Sequence, residues 1–151
     1  MKSIAMVGAV MLAGLFAQSA SANECVHTVE ATASMAFNVK EIAVKKSCKE
    51  VTINLKNTGT MAKAVMGHNI VITKTADMSA VANDGMAAGA DKNYVKPNDA
   101  RVIAASTVIG GGETTTFKFK TDKLSAKEAY SFFCSFPGHS GIMKGTFKVV
   151  G

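Results

Sequence analysis

In the stretch FFCSFPGHSGIMKG, Cys134, His139 and Met143 place a thiol, an imidazole and a thioether within ten residues. A cysteine this close to a histidine has three chemical readings. It is a nucleophile beside its base, part of a zinc site, or part of a copper site. Pro137 and Gly138 impose a turn between Cys134 and His139, and Gly141 loosens the chain before Met143. A turn-rich loop between two strands can therefore aim all three side chains at one point.

Two further histidines are present. His27, in CVHTVE, has only a cysteine near it in sequence and reads as a structural or surface residue. His68, in VMGHNIVI, ends a glycine turn and opens an apolar strand, so it can supply a fourth donor from a neighbouring strand. One thiolate, two imidazoles and one thioether do not suit zinc. Structural zinc prefers several thiolates or a Cys/His mixture, and catalytic zinc keeps a water position. Iron–sulfur clusters take more cysteines than this set offers. Two His, one Cys and a weakly held Met form the blue-copper ligand set. Thiolate and thioether favour Cu(I) and imidazole accepts both oxidation states, so a compromise geometry lets an electron leave with little rearrangement. A thiol hydrolase or peroxidase would need an accessible cysteine of lowered pKa. The apolar run YSFFCSF predicts a buried Cys134, with no resolving cysteine or third orienting residue beside it. A copper store or chaperone, which would expose its soft ligands, is the other alternative.

The elements that position these residues are mostly strands. EVTINLKN (Glu50 to Asn57) alternates apolar and polar residues, as do TTTFKFKT and GTFKVV. Period 2 with one apolar face predicts half-buried antiparallel strands. Further strands are expected at Cys25 to Ala31, Met35 to Phe37, Glu41 to Val44, Asn69 to Lys74, Arg101 to Val108 and Tyr130 to Cys134. Gly110-Gly111-Gly112 and Asn57-Thr58-Gly59 mark turns. Many short strands between turns predict an all-β, Greek-key sandwich or barrel. Thr75 to Asp99 is rich in Ala and Gly and does not alternate; it reads as a flap carrying a short helix around Met78 to Met86.

Residues 1–22 read as a secretory signal peptide: Lys2, an apolar run from Ile4 to Phe16, and small residues ending Ala20-Ser21-Ala22. The run is about 13 residues, short of the ~20 that a membrane span needs. No lipid-anchor pattern precedes Cys25. The expected mature chain, 23–151, forms one domain, placed in the periplasm with no stable membrane insertion. The whole sequence has 17 Lys and Arg, of which Lys2 lies in the leader, against 11 Asp and Glu. The remainder therefore carries a charge of about +5. The lysines are scattered, with no run beyond Lys45-Lys46 and a single arginine, which argues against nucleic-acid binding. Three cysteines in an oxidising compartment suggest one bridge and one special thiol. A Cys25–Cys48 bridge would contribute about 3 kcal/mol in the chain-entropy model. The other pairings would consume Cys134.

Over essentially the whole expected mature chain, the sequence closely resembles the azurin family of cupredoxins. The matching stretches are Cys25 with KSCK (Lys46 to Lys49), VMGHN (Val65 to Asn69), ADM (Ala76 to Met78), DGMA (Asp84 to Ala87), KPND (Lys96 to Asp99), RVIA (Arg101 to Ala104), FFCSFPGHS (Phe132 to Ser140) and MKGT (Met143 to Thr146). The Cys-x4-His-x3-Met spacing is the specific part of the signal. Plastocyanin-like and pseudoazurin-like relatives carry shorter Cys-to-His loops.

The resemblance implies a type 1 copper ion cycling between Cu(I) and Cu(II), held strongly by His68, Cys134 and His139. It implies Met143 as a weak axial ligand and the Gly67 carbonyl on the opposite side. Asn69 and the Phe136 backbone N–H are implied to tune the site, and Cys25–Cys48 to be the disulfide. It also implies an apolar docking patch of Met35, Met61, Val65, Met66, Met86, Phe136, Pro137, Gly138 and Ile142. The implied function is electron carriage by a monomer that forms transient complexes with redox proteins such as a c-type cytochrome, a reductase or an oxidase. Two departures leave the ligands untouched. Ile70 stands where some azurins bury a tryptophan, and Asn57 where some carry a histidine.

Overall fold

The computed structural model describes residues 24–151. The expected leader, 1–22, and the expected first mature residue, Asn23, lie outside the described residues. Among the described residues, nine strands form two packed sheets. The first has the order β2-β1-β4-β7, from Ala36–Phe37, Val26–Thr32, Glu50–Asn57 and Thr114–Lys120. The second has the order β3-β9-β8-β5-β6, from Glu41–Lys45, Lys144–Val150, Tyr130–Phe133, Val71–Lys74 and Val102–Ala105. This is the expected all-β sandwich.

The alternating stretches became strands for the expected reason: they put one apolar row inside. Val51, Ile53 and Leu55 of β4 are fully buried and meet Phe119, Phe132 and Phe147 in one core cluster. Pairing direction differs from the sequence expectation. Besides the antiparallel ladders, β1 runs parallel to β4, and β3 runs parallel to β9, so both sheets are mixed. Alternation reports which face is buried; it carries no information about the direction of the neighbour. Some strand ends moved inward, while β1 and β3 each run one residue further than expected, to Thr32 and Lys45. Met35, with φ of 53°, belongs to the turn before β2. Asn69 and Ile70 precede β5, and Ser106 to Val108 follow β6.

The central strands β5 and β8 depart from one-sided burial, since every residue of β8 is buried. The flap is the cause. Its helix, Met78–Ala88, lies on the outer face of the second sheet, where Val81 and Ala82 pack on Val71 and Phe133. This helix follows a shorter one, Lys63–Met66; they are α1 and α2 in chain order, and α1 has no signal in the periodicity. Arg101 clamps the flap's return, bridging Asp84 on α2 and Asp99 at 2.6 Å each.

The registers define two poles. The ends of β1 and β4 and the start of β7 lie together at one pole (Ala31 opposite Asn57, Lys56 opposite Thr114). The end of β8 and the starts of β5 and β9 occupy the corresponding end of the second sheet. The connections 58–70, 106–113 and 134–143 cover this pole. Cys25 and Cys48, joined in a disulfide, lie at the other.

Candidate metal centre

Each donor at the first pole is held by its own segment. His68 follows α1 and makes a two-way backbone bridge with Ile109, N to O at 3.0 Å and O to N at 2.8 Å. Cys134 directly follows β8, and its N–H donates to the Met143 carbonyl at 3.0 Å. Gly138, with φ of 81°, makes the turn that brings His139 back, and the His139 N–H donates to the Phe136 carbonyl. The His139 carbonyl in turn accepts the Met143 N–H at 2.8 Å. The Cys-to-Met loop is thus closed by its own main chain.

The side chains converge. Nδ1 of His139 is 3.6 Å and Nδ1 of His68 is 3.9 Å from the Cys134 sulfur. All three ligand atoms lie within 4.8 Å of one another. The two imidazole centroids are 5.1 Å apart. His68, Cys134 and Met143 are fully inaccessible, whereas His139 retains 4 % exposure, so the cluster comes nearest to solvent at His139.

The electrostatics suit metal ligation rather than acid–base work. Burial, reinforced by neighbouring His139, pushes His68 down to about 4. The Thr32 main chain opposes this only weakly, because the buried Nε2 of His68 finds no partner in hydrogen-bond geometry. Burial also lowers His139. Both imidazoles are therefore neutral at pH 7, the form that binds a metal. Burial pushes the Cys134 thiol up to about 11, although the Asn69 and Phe136 backbone N–H groups favour its thiolate. A buried thiol that resists ionisation is a poor nucleophile. A soft cation between the three donors would supply the missing compensation.

Around the donors lies a polar frame. The Asn69 side chain donates to Ser135 Oγ at 2.8 Å and accepts the Ser135 N–H at 2.9 Å. It also donates to the Asn93 carbonyl, while Asn93 Oδ1 accepts the Val108 N–H, which ties the flap to the site. Asn57, with 1 % exposure, donates to the Met66 and Ile109 carbonyls and accepts the Gly59 N–H. Gly67 is required by close approach. A Cβ there would fall 2.5 Å from both the Lys63 carbonyl oxygen and a Val108 methyl.

Every residue named from the sequence as a donor or tuner is at this pole. Met143 shares a core cluster with Cys134 and Phe136, and Gly67 directly precedes His68. Of the patch residues, Met61, Val65, Met86 and Ile142 are among the exposed large hydrophobics of the chain. Pro137 and Gly138 are exposed, and Met35 and Met66 are half-buried. Phe136 is buried, its ring 4.8 Å from His139 and 5.3 Å from Tyr94. Ser135, Asn93 and the bracing role of Asn57 were missed. Their partners lie up to 66 residues away, so no local spacing could show them.

A two-sheet sandwich with a buried His–Cys–His cluster at one pole defines a cupredoxin-type copper-binding domain. The chain belongs to the copper binding proteins of the plastocyanin/azurin family, whose profile matches residues 23–150. It is 58% identical over 127 residues to Azurin-1 of Alcaligenes xylosoxydans xylosoxydans, covering 84% of this chain and 98% of that protein. With the azurin of Bordetella pertussis it shares 50% identity over 145 residues, 96% and 97% of the two chains. The solved azurin Az-iso2 of the obligate methylotroph Methylomonas sp. strain J superimposes with a TM-score of 0.82 at 48% identity, covering 84% of this chain and 98% of that one.

Proposed function

We propose that the chain is a periplasmic one-electron carrier with a type 1 copper site, exported by a leader at 1–22 and folded as a single domain over 23–151. The observation that carries this reading is the convergence of two neutral imidazoles and one thiol in a chamber sealed from water. Copper bound there would supply a Cu(I)/Cu(II) couple. His68, Cys134 and His139 would be the strong ligands, with Met143 and the Gly67 carbonyl as weak ones.

The protein's own part is to hold this arrangement still. The Asn57, Asn69, Asn93 and Ser135 hydrogen bonds fix the ligand segments whichever charge the site carries, so little has to move with the electron. The Asn69 and Phe136 N–H groups face the Cys134 sulfur, favour its anionic form and would bear on the potential. His139 is the exit, being the ligand nearest solvent. Exposed Met61, Val65, Met86 and Ile142 supply the apolar face on which a c-type cytochrome, a reductase or an oxidase would dock transiently. Among the described residues no helix is long and apolar enough to cross a membrane.

Addition of Cu(II) is expected to produce an intense blue band and a narrow EPR hyperfine splitting. Cys134→Ser should abolish the blue band entirely. A colourless copper-loaded wild type would refute the reading. Rapid alkylation of Cys134 with copper bound would favour a thiol enzyme. Fast copper exchange with slow electron self-exchange would favour a store or chaperone.

A further inference from the structure

The surface beside the ligand cluster is indented. Ala64 on α1, Ala90 just beyond α2, Tyr94, Val108 and Phe136 line a hollow of about 250 Å³, with Lys63 among its walls. Two of the five apolar walls are alanines, and this is why the surface sinks here. Small-molecule sites usually enclose about 300–1,000 Å³. The hollow falls below that range and suits one side chain better than a free metabolite.

Its position connects it to the site. Phe136 forms one wall, and the same ring lies 4.8 Å from the His139 ring. A group seated in the hollow is therefore one aromatic ring away from the ligand nearest solvent. Ala64 adjoins exposed Val65 in α1, and the wall residue Phe136 is itself one of the patch residues, so the hollow borders the apolar face. Lys63 makes no ion pair with any described residue. The rim thus offers a cation with no carboxylate in ion-pair reach among the described residues.

We propose that this hollow receives one apolar side chain of the redox partner, of about phenylalanine size, while a carboxylate beside it on the partner meets Lys63. A rigid group filling a dry pocket next to a fixed charge is the usual form of an interface anchor. The anchor sets the partner's orientation over His139. The proposal rests on the electron-carrier reading.

The test is an NMR titration of the reduced copper-loaded protein and of the metal-free protein with acetyl-phenylalanyl-aspartyl amide. Saturable shifts are expected at the amides of Ala64, Ala90, Tyr94 and Val108 in both forms. Replacing phenylalanyl by alanyl in the peptide should weaken binding about tenfold. Ala64→Leu, which fills the hollow from an exposed position, should do the same, with Ala90→Leu as the second variant from the opposite wall. Lys63→Gln, or an asparaginyl peptide, should weaken it about threefold, the scale of one exposed ion pair. Absence of saturable shifts in the hollow, or unchanged affinity in both leucine variants, overturns the proposal. The blue band of the same samples judges the carrier reading separately. A blue protein that ignores the peptide overturns the anchor alone, and a colourless protein that binds it overturns the anchor as a redox contact.

Discussion

The two poles of the sandwich are held by different forces. At the disulfide pole a single covalent link joins the start of β1 to the turn before β4. Its stabilising effect lies mainly in the unfolded chain, whose freedom it restricts. At the metal pole among the described residues there is no cross-link; Asn57, Asn69, Asn93 and Ser135 stitch four connections together by buried hydrogen bonds. Those bonds act on the folded state and fix direction as well as distance. A cross-link suffices where the chain need only be held; directional bonds are needed where donor atoms must point to one place.

Four experiments can break or sharpen this contrast. The largest effect is expected for Cys25→Ser with Cys48→Ser, a loss of about 3 kcal/mol in urea unfolding. The copper spectrum of that variant should be unchanged. An altered spectrum would mean that the poles are not independent.

Next is Asn57→Leu, which leaves the Met66 carbonyl and the Gly59 N–H without their side-chain partner and takes away one of the two donors to the Ile109 carbonyl. It should cost about 2 kcal/mol, the scale of leaving buried polar groups unpaired. Unlike the cysteine variant, it should also shift the absorption maximum and the reduction potential. A loss of stability with an unmoved spectrum would make Asn57 a general brace and not a site brace.

The flap joins the poles, and its Arg101 clamp is open to acid titration. Hydrogen bonds from Arg101 hold the Asp99 carboxyl down to about 2. The clamp's contribution is therefore complete above about 3.9, the carboxyl's unfolded value, and is lost as pH falls towards 2. Asp99→Asn should lower the urea midpoint at pH 7 by less than Asn57→Leu does. The difference from wild type should close over that acid window, and a constant difference would refute the clamp.

The smallest effect belongs to His27, near the disulfide pole. Burial lowers its pKa against a raising contribution from the Glu24 backbone, and its Nε2 is buried without a partner. The unfolded chain takes up a proton near 6.5 that folded His27 resists, so stability should decline as pH falls through that value. His27→Gln should flatten this part of the urea-midpoint profile. An identical slope in the variant would remove His27 from the account.

The contrast between the poles also marks how far the sequence could be read. Alternation in Glu50–Asn57 and Thr114–Lys120 announced strands with one buried face, and the structure agrees. It was silent on the parallel pairings of β1 with β4 and β3 with β9, since a neighbour's direction leaves no trace in periodicity. The strand expected at Tyr130 to Cys134 is present as β8, but alternation did not foretell that all of it would be buried, which happens because α2 covers the outer sheet face.

By itself, the sequence determined the donor set and its chemical class. Cys134, His139 and Met143 sit at a spacing that a single Pro-Gly turn can close, and local geometry obeys local sequence. Only the tertiary structure decided that His68 arrives at that loop, that its imidazole and that of His139 are neutral, and that water is kept out. These properties depend on segments 66 residues apart meeting inside one core, and on the desolvation that the meeting creates. The bracing amides and the hollow beside Phe136 are of the same kind. They exist only where separate strands end at one pole.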